Sequence, residues 1–275
     1  MNPASPGGAR RVPEGDVVWL AAKRLREALA GRVLTRSDFR VPRFATTDLT
    51  GRSVTESLSR GKHLLLRVEG GLTVHTHLRM DGSWRIRPAT DRVPASHRVR
   101  LTLANDAWQA VGYQLGVVEV IRSAEEEQVT GHLGPDLLGP GWDPAEAVRR
   151  LRAVGERPIG EALLDQRNLA GIGNLYKAEV LFLRGLDPWR PVGGIADLDA
   201  VVELAQRLLG ANKNRWEQST TGNLGRGEET WVYGRGGRPC RRCGTRIRVS
   251  RPTGQSRDPQ ERITFWCPHC QPAAS

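Results

Sequence analysis

The chain has no apolar run long enough to cross a membrane as a helix. Its 275 residues are 39% hydrophobic, and no run approaches the ~20 apolar residues of a membrane span. Residues 1–11 lack the apolar segment of a secretory signal. These absences predict a protein without a membrane partner that works in the cytoplasm. The length allows two or three small domains.

Cysteine is scarce and confined to one short window. The four cysteines form two pairs separated by 23 residues: Cys240, Cys243, Cys267 and Cys270. Two such pairs can place four thiolates around one structural Zn²⁺. A redox dithiol is the alternative, but two matched pairs with no strand–helix context argue against it. Residues 246–249 and 262–266 are strand-like, which predicts a zinc-bound β-hairpin.

Acidic residues are outnumbered by basic ones. Lys and Arg total 41 against 30 Asp and Glu, which gives a net charge of +11 and an isoelectric point near 10.4. Arginine dominates lysine, and its planar fork binds two phosphate oxygens at once. GC-rich codons are an alternative explanation for the preference for arginine over lysine, but they explain the excess of basic over acidic residues less well. The charge therefore predicts a nucleic-acid partner.

The first half of the chain has strand periodicity after one helix. From Asp16, a plausible N-cap, apolar residues recur at helical spacing as far as Leu29, and Gly31 stands where a helix C′ residue belongs. Short β-branched runs separated by turn signals follow, which favours an antiparallel sandwich or barrel. The runs are residues 63–69, 72–77, 83–87, 98–103, 107–111 and 117–121.

The second half is helical before it reaches the cysteines. Asp143-Pro144 is typical of a capped helix start, and Gly185 of a helix end. Further helices are predicted over residues 157–164, 175–184 and 197–209. The α+β multidomain organisation that we predict is a β-sandwich over 13–121, a linker over 122–141, a helical domain over 142–235 and a zinc finger over 236–275.

Two short motifs are weak when each is taken alone. Leu169-Ala170-Gly171-Ile172-Gly173-Asn174 precedes a helix and could expose backbone N–H groups to phosphate, although a ligand-free turn between helices is the default reading. Gly61-Lys62 enters a strand, where a lone lysine is usually just solvated. His75 and His77 alternate in a strand without an evident third metal ligand, so packing or hydrogen bonding is favoured.

Together these motifs resemble the formamidopyrimidine-DNA glycosylase/endonuclease VIII family. The resemblance covers residues 12–272 and adds Pro13-Glu14-Gly15, His-Leu-Arg-Met-Asp-Gly (77–82) and Val-Tyr-Gly-Arg (232–235) to the motifs above. It implies an antiparallel β-sandwich, a helix–two-turns–helix domain and a zinc-finger hairpin, acting as a monomer on damaged DNA at the nucleoid. The implied activity is that of a bifunctional glycosylase and abasic-site lyase in base excision repair.

The resemblance also implies roles for individual residues. Pro13 is the amine nucleophile, and Glu14 and Lys62 are the other catalytic residues; Lys62, Asn174 and Arg262 grip the DNA backbone. Met80 fills the gap left by the flipped nucleotide, and Tyr113, Gln114 and Leu115 stand where the purine-specific branch has Arg-Arg-Phe. Asp16-Val17 replaces the usual Pro-Glu, so a second helix carboxylate is missing.

Pro13 can attack only as a chain terminus. We therefore expect translation to start at position 12 as GUG, followed by removal of the initiator Met, so that residues 1–12 are absent from the mature protein. Pro-Glu-Gly and a short loop over 219–231 favour oxidised pyrimidines, with oxidised purines as the alternative. If Pro13 is not N-terminal, the rival reading is an inactive zinc-dependent DNA-binding protein. A third interpretation, a translation-associated zinc ribbon, explains the four-cysteine finger but none of residues 12–116.

Overall fold

The computed structural model describes residues 12–93, 95–251 and 263–273, and the chain divides into two compact units. The sandwich unit is residues 13–133, and the helix–hairpin unit is Val12 together with residues from 134 onward. No helix among the described residues is long and apolar enough to cross a membrane.

The described residues of the sandwich unit form two α-helices and two antiparallel four-stranded sheets. The sheet orders are β1-β6-β7-β5 and β2-β3-β4-β8, which confirms the predicted antiparallel sandwich. In chain order the elements are α1 (Gly15–Leu29), β1 (Arg36–Phe39), β2 (Val54–Arg60), β3 (His63–Val68), β4 (Leu72–His77), β5 (Ser83–Pro88), β6 (Val99–Ala104), β7 (Trp108–Tyr113), β8 (Val117–Arg122) and α2 (Glu126–Thr130).

The six predicted strand runs correspond to β3–β8, whereas β1 and β2 were not among them. Both missed strands are polar, with the sequences RSDF and VTESLSR, and lie at sheet edges. β1 and β2 form strands because their backbones hydrogen-bond to β6 and β3, and their own side-chain pattern does not predict it. Ser123–Glu125 and α2 lie within the segment expected to be a linker, and Glu126 of α2 accepts two hydrogen bonds from Arg67 of β3.

Helix α1 closes the core between the sheets of the sandwich unit. Val18, Ala22, Leu25 and Leu29 fall on one face of the helix and pack with the inward side chains of both sheets. The N-cap is Glu14 and not the predicted Asp16, because the Glu14 carbonyl accepts the first helical N–H groups, from Val17 and Val18. Gly31 has φ +74°, as expected of a C′ residue.

Within its described residues, the helix–hairpin unit contains four α-helices and a two-stranded antiparallel sheet. The elements are α3 (Pro144–Arg152), α4 (Ile159–Leu164), α5 (Asn174–Arg184), α6 (Leu198–Asn212), β9 (Arg248–Ser250) and β10 (Thr264–Trp266). The Asp143 and Asp197 side chains cap α3 and α6 by accepting backbone N–H groups, and Gly185 ends α5 at φ +67°. One apolar core joins the four helices, and a second joins α5 to the cysteine-bearing hairpin.

Candidate active site and nucleic-acid interface

Pro13 and Glu14 lead directly into α1. Glu14 has extended backbone angles (φ −120°, ψ −174°), is 1% exposed, and its carbonyl accepts Val17 N–H at 3.0 Å. The helix start therefore holds the residue after Pro13 in one fixed place. Asp16 lies in the same turn and is fully buried. A second buried carboxylate is thus present three residues after Pro13. It lies one position before Val17, which stands where the resemblance leads one to expect Glu.

Lys62 lies in a tight turn between β2 and β3. Arg60 pairs with His63 across the hairpin, which leaves Gly61 and Lys62 as the two turn residues. Gly61 has φ +56°, a conformation that the primed turns of two-residue hairpins require and that glycine adopts without strain. The turn presents a half-buried Lys62 at the end of the two strands.

A histidine cluster lies beside Lys62 on the same sheet. Nδ1 of His75 lies 3.1 Å from a Glu119 carboxylate oxygen, and its Nε2 lies 2.9 Å from Nδ1 of His63. Because a carboxylate only accepts, Nδ1 of His75 is the donor to Glu119, and the second hydrogen bond joins the two imidazole rings. The rings of His63 and His132 meet edge to face at 6.0 Å. The histidines are hydrogen-bonded and packed, as the sequence predicted.

Burial keeps two of these histidines uncharged. It lowers the pKa of His63 to about 4 and that of His77 to about 3. Neighbouring histidines and the positive charge of Arg79 lower both pKa values further, and Lys62 adds to the effect on His77. At neutral pH the rings of His63 and His77 therefore add no positive charge beside Lys62 and Arg79, the two basic side chains that suit a contact with phosphate.

The Met80 loop (residues 78–82) and the loop over residues 113–116 lie side by side. A Cβ on Gly116 would clash with the side chain of Arg79, and Gly116 N–H donates to His77 O at 2.9 Å. Arg79 (φ +52°) and Gln114 (φ +46°) are the two described non-glycine residues with positive φ. Backbone strain of this kind gathers at functional sites, so the structure brings together the two loops that the sequence singled out for probing the base stack.

The members of these loops differ in accessibility. Gln114 is exposed, and Met80 and Tyr113 are half-buried, with the Arg85 guanidinium 5.2 Å over the Tyr113 ring. Leu115 is 3% exposed and packs in the sandwich core. Of the four residues predicted to contact the base stack, only Gln114 is exposed in this structure, and a role for Leu115 outside the core stays a prediction.

Asn174 joins the helical domain to the hairpin. It is the first residue of α5 and is 7% exposed, and its Nδ2 donates to Ile263 O at 2.7 Å. Lys177, one turn later and 1% exposed, places Nζ 3.0 Å from Thr264 Oγ1. Arg262 itself lies outside the described residues, but the residue that follows it is bound directly to Asn174.

The four cysteines form one cluster. Their sulfur atoms all lie within 4.8 Å of one another, with 3.5 Å between Cys243 and Cys267 and 4.0 Å between Cys240 and Cys270. Four sulfurs at zinc–sulfur distances of about 2.3 Å would be about 3.8 Å apart in a tetrahedron. The cluster therefore fits a structural zinc site. It is the one group of metal-ligating side chains found among the described residues.

Two buried side chains that sequence reasoning missed hold the loop after α6. Glu179 of α5, fully buried, accepts the backbone N–H groups of Trp231, Val232 and Tyr233 at 2.7–2.8 Å. Gln218, 8% exposed, exchanges two hydrogen bonds with the backbone of Val12. A glutamate on an otherwise apolar helix face could have pointed to a buried hydrogen-bonding role for Glu179. No local sequence pattern indicates such a role for Gln218.

Comparison with known domains and proteins identifies the fold. The formamidopyrimidine-DNA glycosylase N-terminal domain matches residues 12–113, and the formamidopyrimidine-DNA glycosylase H2TH domain matches residues 133–211. The structure of Lactococcus lactis formamidopyrimidine-DNA glycosylase in complex with abasic-site DNA superposes with a TM-score of 0.77 at 22% identity, covering 94% of this chain and 100% of that one. At that identity the likeness concerns the fold.

Sequence relatives are much closer. A probable endonuclease 8 2 of Streptomyces coelicolor is 58% identical over 264 residues, covering 94% of each chain. The DNA-(apurinic or apyrimidinic site) lyase Nei2 of Mycolicibacterium smegmatis is 47% identical, covering 96% of this chain and 100% of that protein. The chain belongs to the formamidopyrimidine-DNA glycosylase/endonuclease VIII family of bifunctional DNA-repair glycosylases and abasic-site lyases, in its endonuclease VIII-like branch.

Proposed function

We propose that the protein removes oxidised pyrimidines from damaged DNA through the N-terminal amine of Pro13, and that it then cleaves the strand by β/δ-elimination. The buried Glu14 carries this proposal, because α1 fixes a carboxylate one residue from the proline. Relatives named endonuclease 8 and abasic-site lyase support the reaction class. Thymine glycol and 5-hydroxypyrimidines are the proposed lesions.

The proposal requires the mature chain to begin at Pro13. In an amide the proline nitrogen shares its lone pair with the carbonyl and cannot attack, whereas a terminal secondary amine can. The match to the N-terminal family domain begins at residue 12, which supports initiation at Val12 as GUG and removal of the initiator Met. Residues 1–12 would then be absent from the active enzyme.

The chemistry needs an amine and a nearby proton carrier. The Pro13 nitrogen attacks C1′, and the base leaves with the electron pair of the glycosidic bond and gains a proton. As the sugar ring opens, the amine proton moves to O4′ and a C1′=N⁺ iminium forms, with Glu14 placed to carry protons. The iminium acidifies C2′–H, and loss of that proton expels the 3′ phosphate by β-elimination. Loss of a second proton, from C4′, which is now conjugated to the iminium, expels the 5′ phosphate by δ-elimination.

The remaining residues position the DNA. Lys62, Asn174 and Arg262 would bind backbone phosphates and hold the duplex bent while the damaged nucleotide is flipped out. Met80, with Tyr113, Gln114 and Leu115, would fill the vacated stack and test the opposite strand. One structural Zn²⁺ on the four cysteines would hold the hairpin that carries Arg262. The protein would act as a monomer in the cytoplasm, at the nucleoid.

Borohydride trapping on an abasic-site duplex tests the proposal. A form made with Met directly before Pro13, from which the Met is removed, is compared with the chain that begins at Met1. We expect a covalent protein–DNA adduct with the first form and none with the second. If both forms bind the duplex and neither is trapped, the protein is an inactive DNA-binding relative.

The lesion class is decided separately with the active form. Rates of cleavage of thymine-glycol and 8-oxoguanine duplexes are compared under single-turnover conditions. Faster cleavage of the thymine-glycol duplex is expected. Faster cleavage of the 8-oxoguanine duplex would assign the enzyme to oxidised purines instead. Intact-mass analysis of the protein from its own host identifies the true N-terminal residue.

A further inference from the structure

Three hydrogen-bonded side chains cross the outer face of the β2-β3-β4-β8 sheet. They are Glu119 of β8, His75 of β4 and His63 of β3, on the face opposite the core side chains of the same strands. Nδ1 of His75 lies 3.1 Å from Oε2 of Glu119, and its Nε2 lies 2.9 Å from Nδ1 of His63. His75 is 3% exposed, so this triad (Glu119, His75 and His63) is held in its middle by a buried ring.

The His63 end of the triad lies beside basic side chains. His63 directly follows Lys62 of the β2–β3 turn, and the positive charge of Arg79 acts on the pKa of its ring. The ring is half-buried, and its Nε2 makes no hydrogen bond to any residue that the structure describes. An imidazole nitrogen with hydrogen-bonding capacity to spare, next to two basic groups, is well placed to meet an anion.

Nε2 of His63 can donate a hydrogen bond only when the triad holds three protons. One proton lies on Nδ1 of His75 and is donated to Glu119, and a second lies between the two rings. With these two protons both rings are neutral, and Nε2 of His63 is bare and can only accept. A third proton, whichever ring carries the charge, gives Nε2 its N–H, and the carboxylate of Glu119 offsets the added positive charge.

We infer, granted that Lys62 binds a backbone phosphate as proposed, that His63 donates Nε2–H to the DNA backbone beside Lys62, and that His75 and Glu119 position its ring and stabilise the third proton. The proton comes from the solvent as DNA binds, and no covalent bond other than that N–H forms or breaks. His63 is thus a DNA-binding residue, whereas His75 and Glu119 are positioning residues that act through it.

The surroundings of His63 favour uptake of the proton on binding over its presence beforehand. Burial and neighbouring positive charge lower the pKa of His63 to about 4, which favours the two-proton triad in the free protein at neutral pH. A phosphate at Nε2 brings the opposite charge and raises that pKa. The groups that face His63 from the other elements are Lys62 in the turn, His75 and His77 on β4, Arg79 in the Met80 loop, Glu119 on β8 and His132 after α2.

The test measures DNA affinity against pH with the form of the protein that begins at Pro13. The probe is a duplex with a tetrahydrofuran abasic analogue, which cannot be cleaved, and dissociation constants are measured by fluorescence anisotropy from pH 5 to pH 7.5 at fixed ionic strength. Uptake of one proton makes binding tighter by up to about tenfold for each unit by which the pH falls. Wild type should approach this slope within the range.

Two variants of the triad are each compared with a matched control. His63→Phe keeps an aromatic ring but removes the donor, and Glu119→Gln keeps an acceptor for His75 but removes the charge. Both should flatten the slope, and His63→Phe should bind about tenfold or more weakly than wild type at pH 5.5 and more nearly equally at pH 7.5. The controls His97→Phe and Glu127→Gln make the same changes at exposed positions of the sandwich unit and should keep the wild-type slope.

The slope separates this contact from a packing role. A loss of affinity in His63→Phe that is the same at every pH would overturn the inference, and so would a wild-type slope in Glu119→Gln. Borohydride trapping on an abasic-site duplex, carried out in parallel, shows that each variant is folded. Wild type with the expected slope that is not trapped would support the triad and refute the amine chemistry of the proposed function. Wild type that is trapped but shows no slope would overturn the triad alone.

Discussion

Glu179 is predicted to set the stability of the loop over residues 217–233. Its Oε1 accepts the N–H groups of Val232 and Tyr233, each at 2.8 Å, and its Oε2 accepts Trp231 N–H at 2.7 Å and the Thr220 hydroxyl. Burial raises the pKa of the carboxyl, while these donors act to lower it. Four donors aimed at one buried side chain make it the main anchor between α5 and the loop.

The two informative substitutions remove different numbers of these hydrogen bonds. Glu179→Ala leaves three backbone N–H groups without their acceptor, and each buried donor left unsatisfied costs about 1–3 kcal/mol, so a loss of about 3–9 kcal/mol is expected. Glu179→Gln keeps Oε1 as an acceptor but places an NH₂ group against Trp231 N–H. That single mismatch is expected to cost about 1–3 kcal/mol.

Urea unfolding at pH 7 measures these losses. Glu203→Ala is the matched control, because Glu203 is an exposed residue on the neighbouring helix α6, and a change below about 0.5 kcal/mol is expected there. If Glu179→Ala unfolds at the same urea concentration as wild type, Glu179 does not anchor the loop.

Three further predictions concern charge and metal. The pKa values of His63 and His77, about 4 and about 3, lie below the ordinary 6.5, so the unfolded chain binds more protons than the folded chain between pH 6.5 and pH 4. The free energy of unfolding should therefore fall by about 5 kcal/mol over this range, and a constant value in urea titrations would contradict this. Lys62→Met should weaken DNA binding and reduce the slope of log binding constant against log salt concentration by about one, the loss of one phosphate contact. Lys23→Met, a control in the same unit, should change neither quantity. Elemental analysis should find one zinc per chain, and chelation should lower the melting temperature; metal-free protein of equal stability would refute a structural zinc.

Local physics made a large part of the fold predictable. The spacing of two Cys-x2-Cys pairs predicted one cluster, because each knuckle brings two sulfurs together whatever the rest of the chain does. The Asp143 cap and the Gly185 stop depend on hydrogen bonds within a few residues. Strands β3–β8 carry their own β-branched pattern. Asp16 was the wrong N-cap, because the backbone carbonyl of Glu14 begins the helix without a side-chain cap.

The sequence by itself determined the family, the order of the domains and the residues that the proposed chemistry needs. Only the tertiary structure decided which distant groups meet: Glu179 with residues 231–233, and Gln218 with Val12 across 206 residues. It also buried Leu115 and left Gln114 exposed. Such contacts depend on which distant segments the fold brings together, and no short-range periodicity of the sequence predicts them. The pairing partner of Val12 is therefore a property of the folded protein alone.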